Sequence, residues 1–113
     1  MIITFADKKF QKIVNDDRKM AKEFGRCRSK KLRIRLIQLQ DAITLEDVRH
    51  LSGNYHELSG DRKGQWACDL DQPYRLIFEP HERPIPTNEQ GQYIWIKILG
   101  VEIIEIVNYH KEK

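Results

Sequence analysis

Ser52-Gly53-Asn54 divides this chain into two halves with different apolar spacing, and that division limits the fold more than any single motif. Ahead of it, Leu32, Leu36, Leu39 and Ile43 recur at i, i+4, i+7 and i+11, the stripe of an amphipathic helix. Behind it, Tyr55–Leu58, Gln65–Leu70, Tyr74–Phe78 and two Ile- and Val-rich runs at 93–99 and 101–107 read as strands joined by short turns. Helices followed by hairpin-connected strands predict an α+β fold: N-terminal helices packed on one face of a mostly antiparallel, twisted sheet. At 113 residues the chain is expected to form one domain over positions 1–113.

Finer boundaries follow from local chemistry. Ile2–Phe5 suits an opening strand beside one of the later ones. Asp7 is the expected cap of a helix carrying Phe10, Ile13 and Val14, which fades near Asn15, with one more turn over 18–25 before Gly25. Ser29 is the expected N-cap of the main helix at 30–42, with Lys31, Arg33, Arg35 and Gln38 projecting away from the apolar stripe. Thr44 caps a short helix ending near His50. Pro80, Pro84, Pro86 and Gly91 predict an irregular loop over 79–91, and Gly100 predicts a bulge within one long last strand.

Charge narrows the partners. Residues 1–50 hold 13 Lys/Arg against 7 Asp/Glu, and residues 51–113 hold 7 against 10. Arg26, Arg28, Lys30, Lys31, Arg33 and Arg35 fall within ten positions without an acid among them, a cluster that would attract phosphate in a salt-sensitive way. The bland alternative is a solvated helix face. No apolar run approaches the ~20 residues of a membrane-spanning helix. A basic region ahead of the first apolar run is lacking, so no signal peptide is expected and the cytoplasm is the expected compartment. Cys27 and Cys68, and His50, His56, His81 and His110, show no metal-ligand spacing, so free and mostly buried thiols and no metal are expected.

Three places carry side chains suited to chemistry. His56 and Leu58 share one face of a strand, and a histidine there is more often a half-buried structural group than a base. Arg62 and Lys63 lie in a turn bounded by Gly60 and Gly64, where backbone amides and two cations can meet an anion. Arg75 interrupts an apolar strand and requires a phosphate, a carboxylate such as Asp69 or Glu79, or solvent. Asn108-Tyr109-His110 follows the last apolar strand and could be delivered to the sheet surface near His56.

The order His56-x-Leu58-x-Gly60-Asp61-Arg62-Lys63-Gly64-Gln65-Trp66, then Tyr74-Arg75-Leu76, then Tyr109-His110 resembles the HigB branch of the RelE/ParE toxins. The resemblance runs over nearly the whole chain, including the Ala42-to-Asp47 approach to the short helix. It implies the toxin of a type II toxin–antitoxin module: a metal-independent, cofactor-free endonuclease that cuts mRNA in the ribosomal A site by attack of the ribose 2′-OH. Its implied partners are a HigA-like helix-turn-helix antitoxin, the 70S ribosome and mRNA. The resemblance implies His56 and His110 for proton transfer, Tyr109 for positioning or stacking on a base, and Arg75 with Arg62 or Lys63 for phosphate. Arg33 and Arg35 are the expected RNA or ribosome contacts on the basic helix. Asn108 stands where many members have Asp, so it can hydrogen-bond its neighbours but offers no charge to a cationic histidine. Ser59 stands where the family often has Lys. The competing expectation is a non-catalytic binder on the same scaffold, a ParE-like gyrase inhibitor or a degenerate toxin that retains antitoxin binding.

Overall fold

The computed structural model describes residues 1–109. Its elements are β1 (Ile2–Phe5), α1 (Lys8–Val14), α2 (Asp17–Asp41), β2 (His56–Glu57), β3 (Trp66–Asp69), β4 (Tyr74–Pro80) and β5 (Gly100–Asn108). They form the α+β arrangement expected from the sequence, around one mixed sheet in the order β1-β5-β4-β3-β2. β1 runs parallel to β5 and the remaining pairs are antiparallel. Among the described residues no helix is long and apolar enough to cross a membrane.

Both helices begin where a short acid can satisfy the first free amides. Asp7 accepts from the Lys9 amide at 2.8 Å, and Asp16 accepts from the amides of Arg18 and Lys19 at 3.0 and 3.1 Å. Ser29 is not a cap: it lies inside α2 and is buried. The break comes instead at Gly25, whose φ of 79° and ψ of 169° interrupt the helix in a conformation open to glycine. Residues 18–25 are therefore the first limb of α2 rather than a separate turn. The apolar stripe is also shorter than its spacing implies. Ala42 turns extended at the helix end, and Ile43 beyond it is 77% exposed.

The sheet has two unlike faces because strand side chains alternate. Trp66, Cys68, Leu76, Phe78 and Ile103 point toward α2 and pack with Met20, Leu32 and Leu39 in the main core. Each such large apolar side chain, fully buried, contributes about 1.5–3 kcal/mol. The opposite face carries a small cluster of Ala67, Ile77 and Val107, flanked by Leu58 and Ile104, and no helix residue belongs to it. Among the described residues no helix covers this second face.

Four further expectations need correction. The short helix after Thr44 is a 3₁₀ turn, Leu45–His50, entered through a bond from the Thr44 amide to the Asp47 carboxylate at 2.9 Å. Residues 93–99 do not form a strand. Trp95–Lys97 make a 3₁₀ turn because Trp95 is drawn into the core, edge-on to Trp66 at 5.3 Å between ring centroids. The bulge in β5 is not at Gly100 but opposite Ile77/Phe78, which pair with Glu105 and Ile103 and leave Ile104 over. Gly100 is there for space: a Cβ would stand 2.5 Å from the His81 ring, which hydrogen-bonds Thr4 at 2.6 Å. Lastly, Cys27 is exposed, and only Cys68 is buried.

Arg35 does not project into solvent from the basic helix. Its side chain is buried beneath the 52–54 turn, donating from Nε to the Asp69 carbonyl at 2.7 Å and from Nη1 to the Ser52 carbonyl and Gln38 Oε1, both at 3.3 Å. Tyr55 closes the cluster from the other side, its hydroxyl donating to Gln38 Oε1 at 2.8 Å. Gly53 (φ 117°) passes so close that a Cβ would meet the guanidinium carbon at 2.7 Å. The residue expected to hold RNA thus ties α2 to the start of the sheet.

Candidate functional site on the open sheet face

The strand register sets the site. One rung across the open face reads Glu105, Ile77, Ala67, His56, and the next reads Val107, Arg75, Asp69. Neighbouring strands lie about 4.8 Å apart, so His56 at the sheet edge stands roughly 10 Å from Ile77. The 59–64 turn, which contains a short 3₁₀ segment at Gly60–Arg62, leans back over this face. Arg62 thereby reaches Glu105 on β5 at 3.3 Å while also donating to Gln65 Oε1 at 2.9 Å. Beneath the turn is an open hollow of about 450 Å³ lined by Leu58, Ser59, Asp61, Arg62, Arg75, Ile77, Val107 and Tyr109.

Three side chains singled out from distant parts of the sequence meet at this hollow. Arg75 lies flat on Tyr109, its guanidinium carbon 3.7 Å from the ring centroid. Among the described residues neither Asp69 nor Glu79 forms an ion pair with it; Glu79 pairs with Arg83 instead. Tyr109 is held at the end of β5 by its amide, which donates to the Pro73 carbonyl at 2.8 Å. Arg62 closes the opposite wall. The arrangement offers an anion two planar cations and offers a base an aromatic face and an apolar floor.

His56 shares this face without lining the hollow. Its Nδ1 lies 2.6 Å from the Asn54 carbonyl oxygen. A carbonyl can only accept, so Nδ1 carries the proton and Nε2 of the neutral ring is left as an acceptor, the tautomer a general base needs.

Other sequence candidates fall elsewhere. Asn108 pairs with Tyr74, and strand alternation places its side chain on the helix side of the sheet, opposite Tyr109. Lys63 points away from the hollow toward Tyr93, its Nζ 5.8 Å from that ring. Arg33 sits on the far side of the molecule, paired with Asp17 at 3.1 Å. Arg35 is committed to the buried cluster. His110 lies outside the described residues. Among the described residues no group of three His, Cys, Asp or Glu side chains is placed to share a metal ion.

Sequence reasoning missed Glu105, which engages Arg62, and the floor of Leu58, Ile77 and Val107. The alternation of Glu105 with Val107 was the available signal: two positions on one strand face, one charged and one apolar, mark a surface that is neither core nor freely solvated. Compared with family models, curated proteins and solved structures, the chain matches none.

Proposed function

We propose that this chain is the toxin of a type II toxin–antitoxin module, a HigB-type endonuclease that cuts ribosome-bound mRNA by attack of a ribose 2′-OH on the adjacent phosphate. The observation that carries the reading is the convergence of Arg62, Arg75 and Tyr109 on one hollow, with the open Nε2 of His56 on the same face. Of the motif that prompted the resemblance, His56, Leu58, Arg62, Arg75 and Tyr109 lie on this face, which supports the reading, while Lys63 points toward Tyr93 and Trp66 packs in the core. The layout, with helices on one side and, among the described residues, no helix over the antiparallel β5-β4-β3-β2 face on the other, suits a RelE/ParE-like arrangement.

In this reading His56 takes the 2′-OH proton directly or through one water. Arg75 and Arg62 hold the negative charge that builds on the phosphorane, and Tyr109 stacks on the base beside the cut. Protonation of the 5′-oxygen leaving group falls to His110. The products are a cyclic phosphate and a 5′-hydroxyl end. The partners are a HigA-like antitoxin and the translating 70S ribosome.

The test is induced expression without an antitoxin, mapping new 5′ ends on cellular mRNA, beside His56→Ala and Arg75→Ala at matched protein level. Cuts inside translated codons that vanish in both variants support the mechanism. Growth arrest without cuts would replace it with a binder that acts by occupancy. Cuts retained in both variants would remove these residues from the reaction.

A further inference from the structure

A second hollow lies on the other side of the Leu58–Ser59 lip. Its volume is about 540 Å³, and it is lined by Lys63, Gly64, Asn88, Gly91, Gln92 and Tyr93 together with Glu57, Leu58, Ser59 and Trp95. Both hollows share Leu58 and Ser59, so a single strand of nucleic acid can cross the lip from one into the other. We propose that this second hollow is a nucleotide subsite, in which Tyr93 stacks on a base, Lys63 meets its phosphate and Gln92 reads the base edge. The proposal rests on the RNA-cleaving reading above and extends it to a residue set that discriminates sequence.

The subsite is built rather than incidental. Tyr93 packs edge-on against Trp95 with centroids 5.0 Å apart, and Trp95 packs edge-on against Trp66. A ring braced by a buried tryptophan, itself packed on a second, loses little freedom when a base stacks on it. The 88–92 turn is equally fixed. Asn88 Oδ1 accepts from the amides of Gln90 and Gln92 at 2.9 and 3.0 Å, and Asn88 Nδ2 donates to Gln92 Oε1 at 3.0 Å. That last bond occupies the Gln92 carbonyl oxygen and presents its Nε2 as a donor. A fixed amide donor beside an aromatic face suits a base acceptor edge.

The charge is also suitable. Glu57, the one acid in the lining, is held by Arg49 at 3.1 Å. Lys63 forms no ion pair among the described residues, so one positive charge stands beside the Tyr93 ring, where a phosphate following the stacked base would pass.

The test uses five-nucleotide RNAs carrying 2-aminopurine at each position in turn, titrated with the full chain at low salt. Stacking on Tyr93 quenches the fluorophore at one end position. Tyr93→Ala is expected to abolish that quench and to weaken binding about ten-fold, while Tyr93→Phe retains both. Gln92→Ala keeps the ring packing; it is expected to keep the quench and to level the affinities of RNAs that differ only in that base. RNA that binds with the same end-position quench in Tyr93→Ala as in wild type would overturn the subsite and leave the endonuclease reading intact. Wild-type protein that binds none of the RNAs would also overturn the subsite, while the endonuclease reading stands or falls on the mapped mRNA ends.

Discussion

Replacing Arg35 separates the two roles a basic-helix arginine can have. Arg35→Ala removes a charge-assisted bond to the Asp69 carbonyl at 2.7 Å, worth about 1.5–3 kcal/mol. It also removes the longer bonds to Ser52 and Gln38, leaves two carbonyls with one partner fewer, and opens a void beneath Gly53. Together these give a loss of roughly 3–5 kcal/mol, in the range for breaking a buried polar cluster. At about 4 °C per kcal/mol for a domain near this size, Tm falls by about 12–20 °C. Arg35→Lys recovers little, because an ammonium cannot span the three acceptors in the plane of a guanidinium. Arg33→Ala is the control: its pair with Asp17 is largely exposed and contributes about 0.5 kcal/mol or less. Urea unfolding of the three variants, followed by tryptophan fluorescence and by circular dichroism, measures the difference. An Arg35→Ala protein within 0.5 kcal/mol of wild type but weaker on RNA would refute the structural role and return this residue to the binding surface.

Three further expectations rest on burial and close packing. Gly100→Ala drives a methyl against His81 and disturbs its bond to Thr4, so a loss of about 1–3 kcal/mol is expected in denaturant titration; an unchanged midpoint would mean that the ring moves aside freely. Burial pushes the Cys68 thiol up to about 12 from an ordinary value of 9.0, and burial likewise raises the Tyr55 hydroxyl. A group whose folded value is raised contributes stability that is complete below its unfolded value and is lost as pH climbs toward the folded one. Stability should therefore fall from about pH 9 upward toward pH 12, and Cys68→Ser should flatten that fall. In the native state at pH 8, a thiol reagent should label Cys27 quickly and Cys68 only after unfolding; equal rates would contradict the burial.

The helix-then-strand division, the caps at Asp7 and at the 45–50 turn, and the hairpins around Arg62 and Arg75 were legible because each depends on local spacing or on one residue's hydrogen bonding. Arg75 stands out as a charge in an apolar strand, Arg62 by its Gly-bounded turn, and Tyr109 by the terminal motif that carries the resemblance, although their meeting point required the β4–β5 register. Arg35 was not legible. It belongs to a run of cations of which Lys30, Lys31 and Arg33 are exposed, and nothing in a helical repeat says that a turn seventeen residues later will lay a glycine over one of them. Residues 93–99 misled for a related reason. Their β-branched composition favours a strand, but the Trp95–Trp66 contact lies across the chain and outweighs local preference. Gly100 was read as a sign of irregular pairing when it answers a steric demand from His81.

Glu105 is the residue on which the electrostatics of the open face turn. It occupies Arg62 at 3.3 Å, so a phosphate entering the hollow either displaces the carboxylate or is held by Arg75 alone. The pair is partly exposed and contributes about 0.2–1 kcal/mol, a bond that an incoming phosphodiester anion can outcompete. Glu105→Gln keeps the shape, removes the competing charge, and should raise affinity for a short RNA about two- to five-fold at low salt, with the gain shrinking as salt screens the phosphate. Fluorescence anisotropy across a salt series reads this directly. Cleavage separates a second role for the same side chain. If Glu105 only restrains Arg62, Glu105→Gln cuts mRNA at least as fast as wild type. If RNA binds more tightly but cutting is lost, the carboxylate itself takes a proton in the reaction, and His56, three strands away at the far end of the same rung, becomes a positioning group instead of the base.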